Sequence, residues 1–333
     1  MGVNLYSGSG GAIFTSTDSG ATWHQQTGDS THVWLSVASS ANGTKLAAAC
    51  SDNMHTLDLS DPGYIYTSTD SGASWSHNSP ASHTWKAVAS SADGTKLVAV
   101  QNFNDMYTGG GLLYTSADSG ATWINQNSTL SPTNWSSVAS SADGSKLVAV
   151  VYGGQIYISW DYGVSWLPRA TAQNWTAVAS SADGTKLVVV AMSGQIYTSS
   201  DSGVTWSSAS NAPAINWSSV ASSADGSKLV AVADYGGQIC TSTDSGVTWT
   251  TQYAAGSQKW TCVASSADGT KLIAAVDNGY TYTSVPVSTT PNSTTTVGTG
   301  GYLAGGQGTA IELQYIGNNQ FMPISYVGSI FAY

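Results

Sequence analysis

The sequence has very little charge, and almost none of it is positive. Charged residues make up 8% of the 333 residues, nine of them are cationic, and the formal net charge is −10. Six of the eight lysines stand at one repeated position, shortly after an Asp-Gly or Asn-Gly pair: Lys45, Lys96, Lys146, Lys186, Lys228 and Lys271. Because a basic surface cannot be assembled from so few cations, the sequence excludes nucleic acid and anionic membranes as partners.

Long apolar runs and a cysteine framework are also missing. No stretch has the roughly 20 apolar residues that a membrane-spanning helix needs, so no membrane span is predicted. No signal peptide is recognisable. The three cysteines, Cys50, Cys240 and Cys262, stand at strand positions that other copies of an internal repeat fill with Val, Tyr, Ser or Ala, which predicts buried thiols rather than disulfides. Abundant Ser and Thr with few charges favour an extracellular or cell-surface location.

The internal repeat fills most of the chain. It opens with Trp-x-x-Val-Ala-Ser-Ser and closes with Ser-x-Asp-x-Gly-x-Thr-Trp. Its opening tryptophans, spaced 40 to 51 residues apart, are Trp34, Trp85, Trp135, Trp175, Trp217 and Trp260. Its closing tryptophans are Trp23, Trp75, Trp123, Trp166, Trp206 and Trp249. Repeats of this length are typical of propeller blades, so the spacing predicts a β-propeller.

Each copy contains four short strand-like runs separated by turn sequences. In the copy that opens at Trp175, an Asp-Gly pair accepts the positive φ that a tight hairpin needs. The apolar run that follows, 187–190, suits burial on both faces of a sheet. Four antiparallel strands without a helical period form one blade, and its apolar faces need neighbouring blades to cover them.

The copies together predict an all-β, seven-bladed β-propeller of four-stranded antiparallel blades. Six recognisable units begin at the opening tryptophans, and an N-terminal remnant of three strands precedes them. Because a closed ring leaves no long unpaired edges, a C-terminal strand is expected to complete the N-terminal blade. The predicted domains are the propeller over 1–284, a Ser/Thr/Pro/Gly-rich linker over 285–301 and C-terminal strands over 302–333. The alternative is six blades plus a small C-terminal β-module.

The closing element Ser-x-Asp-x-Gly-x-Thr-Trp resembles the Asp-box of the BNR-repeat family, which includes sialidases and sortilin-type receptors. The resemblance covers about residues 1–284. The element is clear at 16–23, 68–75, 116–123, 199–206 and 242–249, and Trp160 and Tyr162 alter it at 159–166. The resemblance implies a structural turn whose aspartate accepts backbone N–H groups. The aspartates concerned are Asp18, Asp70, Asp118, Asp161, Asp201 and Asp244.

The chemistry of a sialidase needs residues that this chain lacks. In the family that it resembles, three arginines clamp the substrate carboxylate beside a Tyr–Glu pair, whereas this sequence has one arginine, Arg169, and one glutamate, Glu312. The sequence therefore predicts that the protein is not an enzyme. An aspartate-dependent glycoside hydrolase is an alternative, with Asp52, Asp58, Asp105, Asp234 and Asp277 as candidates.

The copies agree at one end of each predicted blade and differ at the other. Loops after the second strand and between blades vary in length and content, as expected when loops on a rigid scaffold carry specificity. The candidate ligand-binding residues on this variable rim are His32, Asp52, His55, Asp58, His83, Asp105, Tyr107, Tyr152 and Tyr235. No cofactor is predicted, although the His and Asp side chains leave a divalent cation such as calcium as an alternative.

The composition of the variable rim leads to a hypothesis about function. Flat aromatic faces beside Asn and Gln amides suit carbohydrate stacking and hydroxyl recognition. The sequence predicts a non-catalytic, extracellular binding propeller that recognises a glycan or a protein partner through this rim. A structural or assembly component of a cell surface or matrix is a further alternative.

Overall fold

The protein is described by a computed structural model over residues 2–3, 12–16, 22–26, 32–51, 63–79, 85–102, 111–126, 133–209, 211–235, 237–277, 281–284, 303–305, 310–317, 320–327 and 330–332. The chain divides into two compact units, Met1–Thr283 and Ser284–Tyr333. The larger unit is an all-β propeller of antiparallel sheets, which confirms the predicted fold class. The described residues contain no helix long and apolar enough to cross a membrane.

The strands of the first half pair in chain order. A three-stranded N-terminal sheet comprises β1 (Gly2–Val3), β2 (Ile13–Thr15) and β3 (His24–Gln25). Blade 1 comprises β4 (Val33–Ser39), β5 (Leu46–Ser51), β6 (Ile65–Ser68) and β7 (Ser76–His77). Blade 2 comprises β8 (Trp85–Ser90), β9 (Leu97–Gln101), β10 (Leu113–Ser116) and β11 (Ile124–Asn125).

Blades 3 and 4 share long strands. Blade 3 comprises β12 (Trp135–Ser140), β13 (Leu147–Ser159) and the first part of β14 (Leu167–Ser180). β13 supplies both its second and third strands, since its first residues pair with β12 and its last residues with β14. Blade 4 comprises the second part of β14, β15 (Leu187–Ala191), β16 (Ile196–Ser199) and β17 (Ser207–Ser208).

Blade 5 and a three-stranded sheet complete the larger unit. Blade 5 comprises β18 (Trp217–Ser222), β19 (Leu229–Ala233), β20 (Ile239–Ser242) and β21 (Thr250–Thr251). A single 3₁₀ turn, Tyr253–Ala255, leads to the last sheet. This terminal sheet comprises β22 (Trp260–Ser265), β23 (Leu272–Val276) and β24 (Thr281–Thr283).

The described residues give five complete four-stranded blades where the repeat predicts seven. Among the described residues, the N-terminal sheet has three strands and no strand that opens with a tryptophan. The terminal sheet also has three described strands, and the last copy lacks the Ser-x-Asp turn after Ser284.

The C-terminal strands pair with one another in the described part of the chain. β25 (Leu303–Gly305) pairs with β28 (Ile330–Ala332), and β26 (Ala310–Gly317) pairs with β27 (Gln320–Val327). The predicted pairing of a C-terminal strand with the N-terminal sheet is not among the described strand pairs. The linker predicted over 285–301 lies outside the described residues, and the predicted domain boundaries stay predictions.

The core lies between successive blades. The second strands β9, β15 and β19 are buried along their whole length, as an apolar run without alternation predicts. The six opening tryptophans are 0–2% exposed. Five of them stand edge-to-face against third-strand tyrosines, with ring centroids 5.1–5.4 Å apart: Trp34 on Tyr66, Trp85 on Tyr114, Trp135 on Tyr157, Trp175 on Tyr197 and Trp260 on Tyr282. These rings supply a large share of the apolar burial that holds the blades together.

Hydrogen bonds link each blade to the next at the turn between its first and second strands. One alanine per turn donates its amide to the carbonyl of its equivalent in the next blade, at 2.7–2.8 Å, along the series Ala41, Ala92, Ala142, Ala182, Ala224 and Ala267. In four junctions a lysine Nζ also donates to the carbonyl of the next turn's aspartate: Lys96 to Asp143, Lys146 to Asp183, Lys186 to Asp225 and Lys228 to Asp268. This explains why the repeat keeps a lysine at that position.

Candidate functional site

The blades present two different edges. We call one of them the turn edge. There, the turn between the first and second strands of a blade contacts the turn between its third and fourth strands. In blade 4, for example, the amide of Ser202 donates to the carbonyl of Thr185 at 2.9 Å. At the other edge, here called the loop edge, the residue after the second strand is held by the residue before the opening tryptophan. In blade 4 the amide of Met192 donates to the carbonyl of Asn174 at 2.9 Å. The predicted sorting of the turns onto one edge agrees with this geometry.

The aspartates of the turn edge are occupied by their own turns. In the turn that begins at Ser199, Asp201 accepts the amide of Thr205 at 2.9 Å and the hydroxyls of Ser199 and Thr205. Ser199 Oγ accepts the buried amide of Gly203 at 2.9 Å, and Trp206 Nε1 donates to the Gly203 carbonyl. The same bonds recur around Asp70, Asp118, Asp161 and Asp244, whereas Asp18 lies outside the described residues.

These hydrogen bonds keep the turn carboxylates ionised. Donation by Thr205 to the Asp201 carboxylate lowers the pKa of Asp201 to about 2, and donation by Thr248 does the same for Asp244. In the Asp-Gly turns, donation by Ser181 lowers the pKa of Asp183 to about 2. Carboxylates with this pKa are poor general acids at neutral pH, and their oxygens are already hydrogen-bonded. The turn edge therefore offers stability rather than acid–base chemistry.

The loop edge carries a row of contacts that runs from blade 3 to the terminal sheet. Tyr152 Oη lies 3.5 Å from Met192 Sδ in the next blade. Ser193 donates its amide and hydroxyl to Asn216 Oδ1 of the blade after that, at 3.0 and 2.8 Å. We call the whole row the loop belt; its members are Tyr152, Met192, Ser193, Asn216, Tyr235, Lys259 and Asp277.

The last part of the loop belt is charged. Lys259 Nζ bonds to the carboxylate of Asp277 and lies 5.1 Å from the ring centroid of Tyr235. The hydrogen bond to Asp277 raises the pKa of Lys259, and the nearby Asp234 carboxylate adds to this shift. Tyr235 has a positive φ of 47° and a 76% exposed side chain. An aromatic face, a cation and two carboxylates thus stand together at an exposed edge.

The structure brings together only some of the residues predicted for the variable rim. Tyr152 and Tyr235 are exposed members of the loop belt. His32 is 2% exposed and packs against Trp34 and Tyr66, with its Nε2 atom 3.4 Å from Tyr66 Oη. The remaining candidates lie outside the described residues: Asp52, His55, Asp58, His83, Asp105 and Tyr107.

The described part of the chain holds no group of three His, Cys, Asp or Glu side chains that could bind a metal ion. The calcium alternative rests on Asp52, His55, Asp58 and Asp105, which are not among the described residues. Of the histidines proposed as ligands, His32 is the one described, and its ring is enclosed by aromatic side chains.

The opening tryptophans do not form part of the exposed loop edge. All six are buried, so their faces contact neighbouring strands and not solvent. The indole N–H of Trp135 donates to the Gly111 carbonyl at 3.2 Å. Within the described residues, the equivalent N–H groups of Trp85, Trp175, Trp217 and Trp260 have no hydrogen-bond partner. In the Asn-Trp pairs at 134–135, 174–175 and 216–217 the tryptophans are buried, whereas Asn174 is exposed and Asn134 and Asn216 are half-buried.

Three members of the loop belt were not among the residues predicted from sequence. Met192 occupies the same place after the second strand as Tyr152, and Ser193 follows it. Lys259 occupies the same place before the opening tryptophan as Asn174 and Asn216. An alignment of the repeat copies would have identified all three residues. Equivalent positions of successive copies lie side by side along the loop edge, so the positions at which the copies differ form one row.

Comparison with known proteins shows the fold alone. No protein-family model and no curated protein matches the sequence. Among solved structures, the chain resembles a GH74 enzyme of Niastella koreensis, with a TM-score of 0.66 and 14% identity over 84% of this chain and 49% of that one. It also resembles the GH74 xyloglucanase from Xanthomonas campestris, with a TM-score of 0.65 and 16% identity over 83% and 48%. YCF48 bound to D1 peptide gives a TM-score of 0.59 and 17% identity over 82% and 85%.

All three structures are β-propellers, and the chain spans about half the length of the two GH74 structures. The presence of GH74 enzymes corrects the prediction of a non-catalytic binding protein. That prediction relied on the shortage of Arg and Glu, which excludes a sialidase clamp but leaves a pair of aspartates available. Enzymes and a peptide-bound protein share the fold, so the absence of enzyme activity stays a prediction.

Proposed function

We propose that the loop belt binds an extended polysaccharide across neighbouring blades. The observation that carries this proposal is the continuity of the belt from Tyr152 to Asp277, with exposed faces at Tyr152, Met192 and Tyr235. Aromatic faces stack on the apolar faces of sugar rings, and amide and charged groups hydrogen-bond to hydroxyls. A polymer that crosses several blades gains from several weak contacts at once.

The chemistry of the belt suits a neutral sugar chain better than a charged one. Its cation, Lys259, is already paired with Asp277, and its other polar groups are the amide of Asn216 and the hydroxyl of Ser193. One of the similar structures is a xyloglucanase, which supports xyloglucan as the first polymer to test. The recessed indole N–H groups below the belt provide no exposed donors, so binding is expected to depend on the belt itself.

Isothermal titration calorimetry with xyloglucan oligosaccharides tests the proposal. Loss of one stacking side chain is expected to cost about 1.4 kcal/mol, so Tyr235→Ala and Met192→Ala should each weaken binding about ten-fold. Tyr162→Ala is the matched control, because Tyr162 is an exposed tyrosine on the opposite edge and should leave affinity unchanged. Equal affinity of the Tyr235 variant and the native protein, or no binding by the native protein, would count against the loop belt.

Hydrolysis of the same polymer is a second candidate function, favoured by the GH74 enzymes among the similar structures. The described carboxylates at the belt are Asp234 and Asp277, with Lys259 interacting with both. Glycoside hydrolases act through a pair of carboxylates, and these two are the described candidates for such a pair. Hydrolysis would be supported if the native protein releases reducing ends from the polymer and the Asp277→Asn variant binds the polymer but releases none. No release by the native protein would support the prediction that the chain is not an enzyme.

We further propose that the repeat is of the Asp-box type and that the protein is extracellular. The recurring bonds around Asp70, Asp118, Asp161, Asp201 and Asp244 support the first statement. The low charge content and the abundance of Ser and Thr support the second. Antibody labelling of intact against permeabilised cells tests the location, and equal labelling of both is the expected result.

A further inference from the structure

One blade departs from the repeat at the turn edge, which is the edge opposite the loop belt. In blade 3, Trp160 and Tyr162 stand where the other described copies have small residues. The position of Trp160 is Thr69, Ala117, Ser200 or Thr243 elsewhere, and the position of Tyr162 is Ser71, Ser119, Ser202 or Ser245. Together with Val164, Leu167 and Arg169 these residues form what we call the blade 3 patch.

Closing the turn does not require these aromatic residues, although Trp160 Nε1 also donates to the Ser202 carbonyl of blade 4 at 3.1 Å. Asp161 accepts the Ser165 amide at 2.9 Å, Gly163 donates to Ser159 Oγ at 2.8 Å, and Trp166 Nε1 donates to the Gly163 carbonyl at 3.0 Å. The matching distances in the other copies agree within 0.1 Å. Small polar residues at the same two positions therefore close the same turn.

Tyr162 is also held in an unfavourable backbone conformation. Its φ is 62°, in the left-handed region, where the serines of the other copies have φ values of 58° to 61°. A bulky residue is rare there, because its Cβ and ring crowd the backbone. The ring is 51% exposed, so burial of apolar surface offsets little of this strain. A strained, exposed aromatic residue with no structural need for it points to a function at the surface.

Two cations stand against the aromatic rings of the patch. Arg169 Cζ lies 5.4 Å from the ring centroid of Trp160, and Lys96 Nζ lies 5.0 Å from that of Tyr162. Arg169 is the one arginine of the sequence, and it makes no ion pair with any described residue. Its Nε atom is buried without a hydrogen-bond partner in the described structure. Because Nε is buried, a ligand meets only the terminal N–H groups, of which Nη1 also donates to the Pro168 carbonyl at 3.5 Å. These terminal groups of a guanidinium are suited to a carboxylate.

The shape and composition of the patch favour a protein partner over a sugar. Trp160, Tyr162, Val164 and Leu167 are all exposed, on the turn between the last two strands of blade 3 and at the start of β14. Tryptophan, tyrosine and arginine are the residues enriched at the energetic centres of protein interfaces. The turn edge carries ionised aspartates in each described copy, Asp161 included, and the patch differs from the other copies by adding two cations beside aromatic rings.

We propose that the blade 3 patch docks an acidic peptide segment of a partner protein, with an apolar side chain between Trp160 and Tyr162 and a carboxylate on Arg169. This second site is separate from the loop belt and does not depend on the proposed polysaccharide binding. Lys96 adds positive charge at the edge of the patch, although its Nζ already donates to the Asp143 carbonyl. The interaction is expected to weaken as salt concentration rises.

Fluorescence anisotropy with defined peptides tests the proposal. The probes are fluorescein-labelled nonapeptides in which two glutamates flank a Leu-Phe pair, and the same peptides with glutamine in place of glutamate. The glutamate peptide should bind at least about ten-fold more tightly than the glutamine peptide. Trp160→Thr and Tyr162→Ser should each weaken binding at least about ten-fold, and Arg169→Gln should remove the preference for glutamate.

The variants carry their own folding control. Tyr162→Ser restores the residue of the other copies at a position of positive φ, so its melting temperature should equal or exceed that of the native protein. Trp160→Thr also restores a residue of another copy but deletes the bond from Trp160 Nε1 to the Ser202 carbonyl, so its melting temperature should fall slightly. Tyr235→Ala on the loop belt should leave peptide binding unchanged. The proposal is overturned if the patch variants bind the peptides like the native protein, if neither peptide binds, or if oligogalacturonate binds the patch and the peptides do not.

Discussion

The Nζ atom of Lys146 lies 2.9 Å from the carbonyl oxygen of Asp183, across the junction between blades 3 and 4. The same turns are joined by the amide of Ala142, which donates to the carbonyl of Ala182 at 2.7 Å. Such a side-chain bond runs beside the backbone bond at four of the five described junctions. The lysines at these four junctions hold neighbouring blades in register.

Removing the lysine bond should loosen one junction. Lys146→Met keeps most of the apolar stem but deletes the donor, and we expect a loss of about 1 kcal/mol in the free energy of unfolding. Urea denaturation followed by circular dichroism measures it. Lys271→Met is the matched control, because Lys271 has the same place in the terminal sheet and no such bond among the described residues. Equal losses in both variants would contradict a role at the junction.

The opening tryptophans offer a comparison between a satisfied and an unsatisfied indole N–H. Trp135 donates to Gly111 and Trp175 does not donate to any described atom, while both pack edge-to-face on a tyrosine at 5.2 Å. Trp135→Phe leaves the same kind of cavity as Trp175→Phe but also deletes a hydrogen bond. We expect it to cost about 1 kcal/mol more in the free energy of unfolding. Equal costs in chemical denaturation would show that the indole bond contributes nothing.

The serine that opens each Asp turn protects a buried amide. Ser199 Oγ accepts the Gly203 N–H, so Ser199→Ala leaves that donor without a partner and should cost about 1–3 kcal/mol of stability. Ser207→Ala, on the exposed strand β17, should change stability by less than about 0.5 kcal/mol. Thermal melts of the two variants compare them directly. A larger loss at Ser207 would mean that the turn bond is not the source of stability.

Acid should unfold the protein by protonating the turn aspartates. Hydrogen bonds to Asp201 and Asp244 lower their pKa values from 3.8 to about 2 in the folded state, so protonation favours the unfolded chain. Their contribution is present above about pH 4 and is lost as the pH falls towards about 2. Denaturation midpoints measured from pH 7 to pH 2 should therefore fall steeply only in this window.

The variant Asp201→Asn supplies the control for the acid experiment. An asparagine cannot ionise but can still accept the Thr205 amide, so this variant should lose less stability than the native protein between about pH 4 and pH 2. High salt should leave the window in place, because hydrogen bonds to the carboxylates are the main cause of the shift. An unchanged acid profile in the variant would exclude Asp201 from the transition.

Much of the blade could be predicted because its turns close within a few residues. Asp93 accepts the amide and hydroxyl of Thr95, and Ser91 Oγ accepts the amide of Lys96, all within five residues of chain. Such turns form whatever the rest of the chain does, so their sequence pattern predicts them. The number of blades was harder to predict from the sequence, because it depends on which strands pair with the first and last sheets of the repeat.

The candidate site was only partly predictable, because its contacts join residues of different blades. Tyr152 and Met192 meet 40 residues apart, and Lys259 reaches Tyr235 and Asp277 from another loop. His32, predicted at the exposed rim, is buried against Trp34 and Tyr66. The sequence around a loop residue does not show whether its side chain faces solvent or is covered by neighbouring aromatic rings.

By itself, the sequence determined the repeat, its strand-turn pattern and the shortage of arginine and glutamate that rules out a sialidase clamp. Only the tertiary structure decided that the opening tryptophans are core, that one row of loop residues connects blade 3 to the terminal sheet, and that Arg169 lies on Trp160. The reason is physical. Turns and strands follow from hydrogen bonds between near neighbours in sequence, whereas exposure and contact across blades follow from how whole sheets stack.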